Sequence, residues 1–197
     1  TFLDVGANIG FFTMTVAKAC ESISCQIHCF EPNPYTFDLL ASNIKRNKIN
    51  NVYLNTFGLA ASDANAILTS NIRNIGAANI YSSNKEGVQT NIQLRTLDSY
   101  CKEAGINEVD IIKVDIEGAE LDFLKGADNI LTNSKKLVLV MEVVDENCRR
   151  AGYAAEELFN YCLSKGFVAY LPKPWPLGLK RTTTLPQNYH DNIFFLK

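Results

Sequence analysis

Four short apolar runs, each ending in a turn rich in glycine or acid, constrain this chain more than any other feature. Phe2-Leu3-Asp4-Val5 runs into Gly6 to Gly10, and Gln26 to Phe30 into Glu31-Pro32-Asn33-Pro34. Val52 to Phe57 runs into Gly58 to Ser62, and Val109 to Val114 into Asp115 to Glu120. Runs of this length read as buried strands. After the first two, apolar residues recur three and four apart, which is the period of a helix. The first helix is expected to bury Ile9, Phe12, Val16, Ala19 and Cys20, and the second Phe37, Leu40, Ala41 and Ile44. Strands separated by helices must mostly be parallel and joined by right-handed crossovers, so the chain reads as a doubly wound α/β fold.

The rest of the chain continues that grammar. Thr96 can cap a helix through Leu97, Tyr100, Cys101 and Ala104, with Gly105 as its stop. A fifth strand is expected over Leu137 to Val143, and a helix is striped by Ala155, Leu158, Phe159 and Cys162. Two closing strands follow at Phe167 to Leu171 and Ile193 to Leu196, joined by a long loop with Pro172, Pro174, Trp175 and Pro176. Residues 58 to 95 are polar, Asn-rich and irregular, with short strands near Ala66 to Ser70 and Val88 to Arg95.

At 197 residues the chain is long enough for one core without a disulfide or metal staple, so residues 1–197 read as a single domain. With 19 basic residues against 21 acidic ones, and the basic pairs scattered, nucleic acid is not an expected partner. Leu137 to Met141 is far too short for a membrane span. Six cysteines occur without a C-x-x-C pair and read as reduced, packed thiols; with no N-x-S/T sequon, they point to the cytoplasm. The chain begins at Thr1 and enters a strand at once, as the excised body of a longer protein would.

In an open parallel sheet the turns at the carboxyl ends of the strands share one crevice. The first of them reads G-x-x-x-G, not the dinucleotide fingerprint G-x-G-x-x-G, because Asn8 and Phe11 stand where the second and third glycines belong. Gly6, Ala7, Asn8 and Gly10 are expected to turn their backbone N–H groups, and Asp4 its carboxylate, toward a ligand. Glu31 lies 25 residues beyond Gly6, where doubly wound proteins place the acid that accepts ribose hydroxyls. The missing glycine favours S-adenosyl-L-methionine, which has no phosphate to cradle, over NAD. Pro32, Leu59, Ala60 and Asp115 complete the expected cofactor-binding set.

Phe2 to Gly10, Phe30-Glu31-Pro32-Asn33-Pro34, Thr96-Leu97-Asp98, Ile112 to Glu120 and Leu124-Lys125-Gly126-Ala127 together resemble the FkbM family of S-adenosylmethionine-dependent methyltransferases, in order over residues 2 to 143. The I-K-x-D-x-E-G-A-E block is the specific part. The resemblance implies a seven-stranded Rossmann-like sheet with an antiparallel C-terminal hairpin. It also implies O-methylation of a hydroxyl on a sugar, glycolipid or polyketide. Asn65 to Gln93 and Pro172 to His190 match no pattern and are where the acceptor would be chosen.

Methyl transfer to a hydroxyl needs alignment and a group to take the proton. Asp115 ends the fourth strand, Glu117 and Glu120 open the next helix, and Glu142 ends the fifth strand. Asp115, Glu117 and Glu142 are the candidate catalytic acids, with Lys113 on the same strand face as Asp115 to hold the charge. Glu120 reads as part of a solvated helix face. A metal-free base is preferred to a divalent cation, because no histidine ligand lies in these turns. His28 and His190 read as packing or surface residues. Two other readings stand beside the methyltransferase: a nicotinamide-dependent oxidoreductase, and a non-catalytic nucleoside-binding domain.

Overall fold

A computed structural model of the chain describes residues 1–71, 74–81, 87–173 and 178–197. The chain opens with β1 (Phe2–Val5), α1 (Phe11–Ala19), β2 (Ile27–Phe30), α2 (Pro34–Arg46) and β3 (Val52–Asn55). Next come β4 (Gly58–Leu59), β5 (Ala64–Asn71), β6 (Asn74–Asn79), β7 (Val88–Arg95), α3 (Leu97–Ala104) and β8 (Ile111–Val114). The last part holds α4 (Glu120–Gly126), α5 (Asp128–Asn133), β9 (Val138–Val144), α6 (Asp145–Arg150) and α7 (Ala155–Ser164), then β10 (Val168–Pro172), β11 (Leu179–Thr182) and β12 (His190–Leu196).

The main sheet has the order β11-β10-β12-β9-β8-β1-β2-β3. Strands β9, β8, β1, β2 and β3 are parallel, and β12, β10 and β11 run antiparallel to their neighbours. The sheet therefore has eight strands rather than the seven that the resemblance implies, with three antiparallel strands at its end instead of a hairpin of two. The added strand is β11, inside the segment read as a loop. It is an edge strand whose Leu179, Lys180 and Arg181 are exposed, so no buried face imprints an alternating pattern on it. Trp175, Pro174 and Pro176 lie outside the described residues.

Residues 58–95 differ more. They form a second sheet of order β4-β7-β5-β6, in which β5 pairs β7 antiparallel from Ala64 opposite Leu94 to Ser70 opposite Val88. Leu68 and Ile92 are buried while Asn65, Ile67, Asn91 and Gln93 are exposed. A sheet that buries one face with so few apolar side chains carries little periodic signal.

Backbone chemistry explains the helix ends. Asn33 Oδ1 accepts from the Tyr35 N–H at 3.1 Å, and Pro34 fills the first helical position of α2. Thr96 caps α3 through the Ser99 N–H at 3.1 Å, and Gly105 ends it. Alternation along β1 sends Phe2 into an apolar cluster with Ala17, Leu40 and Ile44, from α1 and α2. Leu3 and Val5 join the larger cluster of Leu97, Phe123, Leu131 and Phe159, from α3, α4, α5 and α7. Each such side chain, fully buried, contributes roughly 1.5–3 kcal/mol.

The expected stripe of α1 is rotated. Thr13 and Ala17 are its buried residues, while Phe12 and Ala19 are exposed, as is Ile9 just before the helix. Thr13 takes the inward place because its hydroxyl donates to Asp4 Oδ2 at 2.6 Å, satisfying one oxygen of a buried carboxylate in the middle of β1. His28 is buried beneath α3, bonded through Nδ1 to the Tyr100 hydroxyl at 2.7 Å and stacked on Tyr53, whereas His190 is exposed. All six cysteines are free thiols and four are buried. Among the described residues no helix is long and apolar enough to cross a membrane.

Candidate active site

A cavity of about 310 Å³ opens at the carboxyl ends of β1, β2 and β8. It lies where the chain, having run outward from β1 to β3, returns on the other side of β1 to form β8. Gly6 closes its floor with a φ of 78°, and a Cβ there would stand 1.9 Å from the Asp115 carbonyl oxygen. Only glycine lets the ends of β1 and β8 approach this closely.

The turn does not present its N–H groups as expected. Gly6 and Ala7 donate to the Phe30 carbonyl at 3.0 and 3.1 Å, Asn8 to Glu31 Oε2 at 2.8 Å, and Gly10 to the Ala7 carbonyl at 2.8 Å. These donors pin the turn to the end of β2 and are not available to a phosphate. Asn8 adopts a φ of 49°, a conformation that asparagine tolerates better than most residues.

Glu31 is buried. Its Oε1 accepts from the Asn33 N–H at 3.0 Å and the Thr36 hydroxyl at 2.8 Å, while among the described residues Oε2 takes only the Asn8 N–H. A carboxylate has about four acceptor positions, so Oε2 keeps capacity for one more donor, and Glu31 lines the cavity. Burial pushes its pKa up, and the three donors hold that rise back.

Asp4 is fully buried behind the cavity wall. Its Oδ1 stands 3.8 Å from Lys113 Nζ. Lys113 does line the cavity, with Nζ 3.2 Å from Asp115 Oδ2, donating to the Gly6 carbonyl at 3.3 Å and lying 5.0 Å above the Phe12 ring. Lys113 and Asp115 thus share a strand face, as alternation requires. Burial pushes the Asp4 pKa up, opposed by Lys113 and the Thr13 bond.

The acids part company. Asp115 and Glu117 line the cavity, whereas Glu142, on the neighbouring β9, is not among its lining residues and stands close enough to feel their charges. Burial and the charges of Asp115 and Glu117 push the Glu142 carboxyl up to about 7. Glu117 is held by Asn147 Nδ2 at 2.8 Å, with a φ of 56° that costs roughly 1–2 kcal/mol in a residue bearing a Cβ. Burial and Asp115 push its pKa up as well. Glu120 is not solvated: it is buried, accepting from the Ile116 and Gly118 N–H groups and the Tyr153 hydroxyl. It shapes the turn that carries Glu117. Among the described residues no three His, Cys, Asp or Glu side chains are arranged to hold a metal ion.

Of the expected cofactor-binding residues, Gly6, Ala7, Asn8, Glu31, Pro32, Leu59 and Asp115 line the cavity, while Asp4, Gly10 and Ala60 do not. The sequence reading missed the wall formed by Leu68, Asn79, Ile92 and Leu94 of the second sheet and by Ile80 just after β6. It also missed Phe11, 68% exposed at the mouth and edge-to-face with Phe12, which is 48% exposed. Two adjacent phenylalanines, one of them off the helical stripe, were the available signal.

The Methyltransferase FkbM domain family matches residues 4–169. "Methyltransferase 1" of Beauveria bassiana is 28% identical over 193 residues, covering 87% of this chain and 74% of that protein. The hexuronic acid methyltransferase AglP of Haloferax volcanii is 34% identical over 128 residues, covering 65% of this chain and 50% of its own. The crystal structure of an FkbM methyltransferase from Methylobacillus flagellatus superposes with a TM-score of 0.64 at 19% identity, over 99% of this chain and 43% of that one. That likeness shows a common α/β fold, and the chain spans only about half the length of some of these relatives. With the family match extending over most of its length, the chain belongs to the FkbM family of methyltransferases.

Proposed function

We propose that residues 1–197 are one S-adenosyl-L-methionine-dependent O-methyltransferase domain acting on a hydroxyl of a sugar, glycolipid or polyketide-like acceptor. The observation that carries this reading is the division of labour in the cavity. Glu31 offers one remaining acceptor position suited to a ribose hydroxyl, the turn N–H groups that would bind a pyrophosphate are spent on β2, and carboxylates cluster at the far end. This combination suits a nucleoside without phosphates and disfavours NAD. When bound, the nucleoside supplies a methyl group already activated for transfer.

The chain's own residues then have two tasks. Gly6, Ala7, Asn8 and Glu31 hold the nucleoside, with Pro32 and Leu59 against it. Glu142, with a pKa near 7, takes the proton from the acceptor hydroxyl, while Asp115, fixed by Lys113, and Glu117, fixed by Asn147, orient that hydroxyl. Phe11 and Phe12 give the mouth an exposed aromatic face, which fits the apolar face of a sugar ring. The name of the Haloferax relative, a hexuronic acid methyltransferase, points the same way. Six free thiols fit a cytoplasmic setting.

Thermal melting tests the cofactor. S-adenosylhomocysteine at one hundred times its dissociation constant should stabilise the chain by about 2.7 kcal/mol and NAD should not. Equal stabilisation by NAD would overturn the assignment. Mass spectrometry for methyl gain across hydroxylated glycans and polyketides, with and without chelator, then tests the acceptor and the metal-free base.

A further inference from the structure

A second cavity, of about 790 Å³, runs beside α1 from Phe11 to Cys20 and on to Cys25. Cys20 is the C-cap of α1, and Cys25 stands two residues before β2. Both are half-buried, whereas Cys29, Cys101, Cys148 and Cys162 are buried. Burial pushes the Cys29 and Cys101 thiols up to about 12, which leaves them inert packing groups. The backbone at each end of the accessible pair is fixed. The Cys20 N–H donates to the Val16 carbonyl at 2.9 Å, the Ile23 N–H donates to the Cys20 carbonyl at 3.0 Å, and the Cys25 carbonyl accepts from Asn51 Nδ2 at 3.0 Å. Residues 21–24 form an exposed turn between them. The thiols stand close enough that Cys20, after burial itself, pushes the Cys25 pKa up.

Neither cysteine lines the active-site cavity, so the pair stands apart from the proposed methyl transfer. Among the described residues no third His, Cys, Asp or Glu joins them to hold a metal ion. Two accessible thiols held close across a tight turn make a dithiol instead. We propose that Cys20 and Cys25 are a redox-active pair that a small disulfide of the glutathione class converts to an intrachain disulfide. One protein thiolate attacks glutathione disulfide, forming a mixed disulfide and releasing one glutathione. The second protein thiolate then attacks the protein sulfur of that mixed disulfide and releases the other. Two electrons pass from the pair to glutathione disulfide, and the two protons lost by the cysteines end on the two released glutathiones. The second cavity gives the peptide access. Lys18 and Lys48 line it and suit the carboxylates of glutathione, with Glu21 as the opposing charge.

Equilibration of the reduced chain with glutathione redox buffers, followed by acid quenching and tandem mass spectrometry of the fragment holding both residues, tests the pair. The wild-type chain should lose two hydrogens between Cys20 and Cys25 and regain them with dithiothreitol. Cys20→Ser and Cys25→Ser should each carry one glutathione on the remaining thiol in place of the internal bond. At a fixed level of reduced glutathione, the folded chain should form the bond with about tenfold less glutathione disulfide than the chain unfolded in urea, because the turn raises the effective concentration of one thiol at the other. Absence of the bond in the wild-type chain would overturn the proposal, as would a glutathione on each sulfur without a bond, or a bond to Cys29. Equal requirements for the folded and unfolded chains would do the same, since the fold then would not hold the thiols together.

Discussion

At one end of the cavity Lys113, Asp115 and Glu117 hold charges within reach of one another, with Glu142 beside them outside the wall; at the other, Leu68, Ile92 and Leu94 of the second sheet, with Ile80 just after β6, enclose apolar space around one carboxamide. The charged end is assembled from consecutive strand ends of the main sheet, so its members depend on each other's ionisation. The apolar end depends on how one sheet docks on another. Gly126 marks that docking, since a Cβ there would stand 2.0 Å from the Ala60 carbonyl oxygen just after β4. Substitutions at the first end should therefore act on the chemical step, and substitutions along the second on binding and stability.

The largest effect is expected at the charged end. Glu142→Gln and Asp115→Asn should each lower kcat by roughly 100-fold or more while S-adenosylhomocysteine affinity stays within a few-fold, as read by single-turnover methyl transfer and calorimetry. The same end should set the pH profile. A base with a pKa of about 7 is charged only above it, so the wild-type rate should fall as pH drops through about 7. In Asp115→Asn the residual rate should show its midpoint at lower pH, because a charge that raises Glu142 is gone. Folding responds with the opposite sense: Glu142 holds its proton above its ordinary 4.5 in the folded chain, so its contribution to stability is greatest at low pH and is lost as pH rises through about 7.

Next in size is the seam between α4, which packs under the main sheet, and the second sheet. Gly126→Ala should cost about 1–3 kcal/mol in denaturant unfolding, because the new methyl group meets backbone and not a yielding side chain. If stability is unchanged, the two ends are not joined there. Glu31 ties the first turn to β2 by accepting at both oxygens, so Glu31→Gln, whose NH2 must face the Asn8 N–H or the Asn33 and Thr36 donors, should weaken S-adenosylhomocysteine by about tenfold and lower the melting temperature. Glu31→Ala should also lower the melting temperature, since the Asn8 and Asn33 N–H groups and the Thr36 hydroxyl lose their acceptor. The smallest effect belongs to the mouth. Phe12→Ala should raise the acceptor KM by about three- to tenfold with cofactor affinity unchanged, the size of one exposed aromatic contact. A change in cofactor affinity instead would move Phe12 from the acceptor side to the nucleoside side.

Local chemistry was legible where neighbouring residues in the chain decide it. Thr96 caps its helix because a side-chain oxygen needs to reach only three residues along. Glu31, Asp115 and Glu142 fall at strand ends because a parallel sheet puts those ends on one side, and the I-K-x-D-x-E-G-A-E block marks the family without any coordinates. Tertiary structure decided what each group faces. It buried Glu31 and Glu120 under backbone donors, put Thr13 inward to satisfy Asp4, turned Phe12 out to the mouth, and made Lys180 and Arg181 part of an edge strand. It also folded the Asn-rich segment into a sheet whose apolar side covers the cavity. Several of these outcomes depend on partners far along the chain, 9 residues away in the Thr13–Asp4 bond and 107 in the Lys113–Gly6 bond, and hydrophobic periodicity carries no record of such pairings.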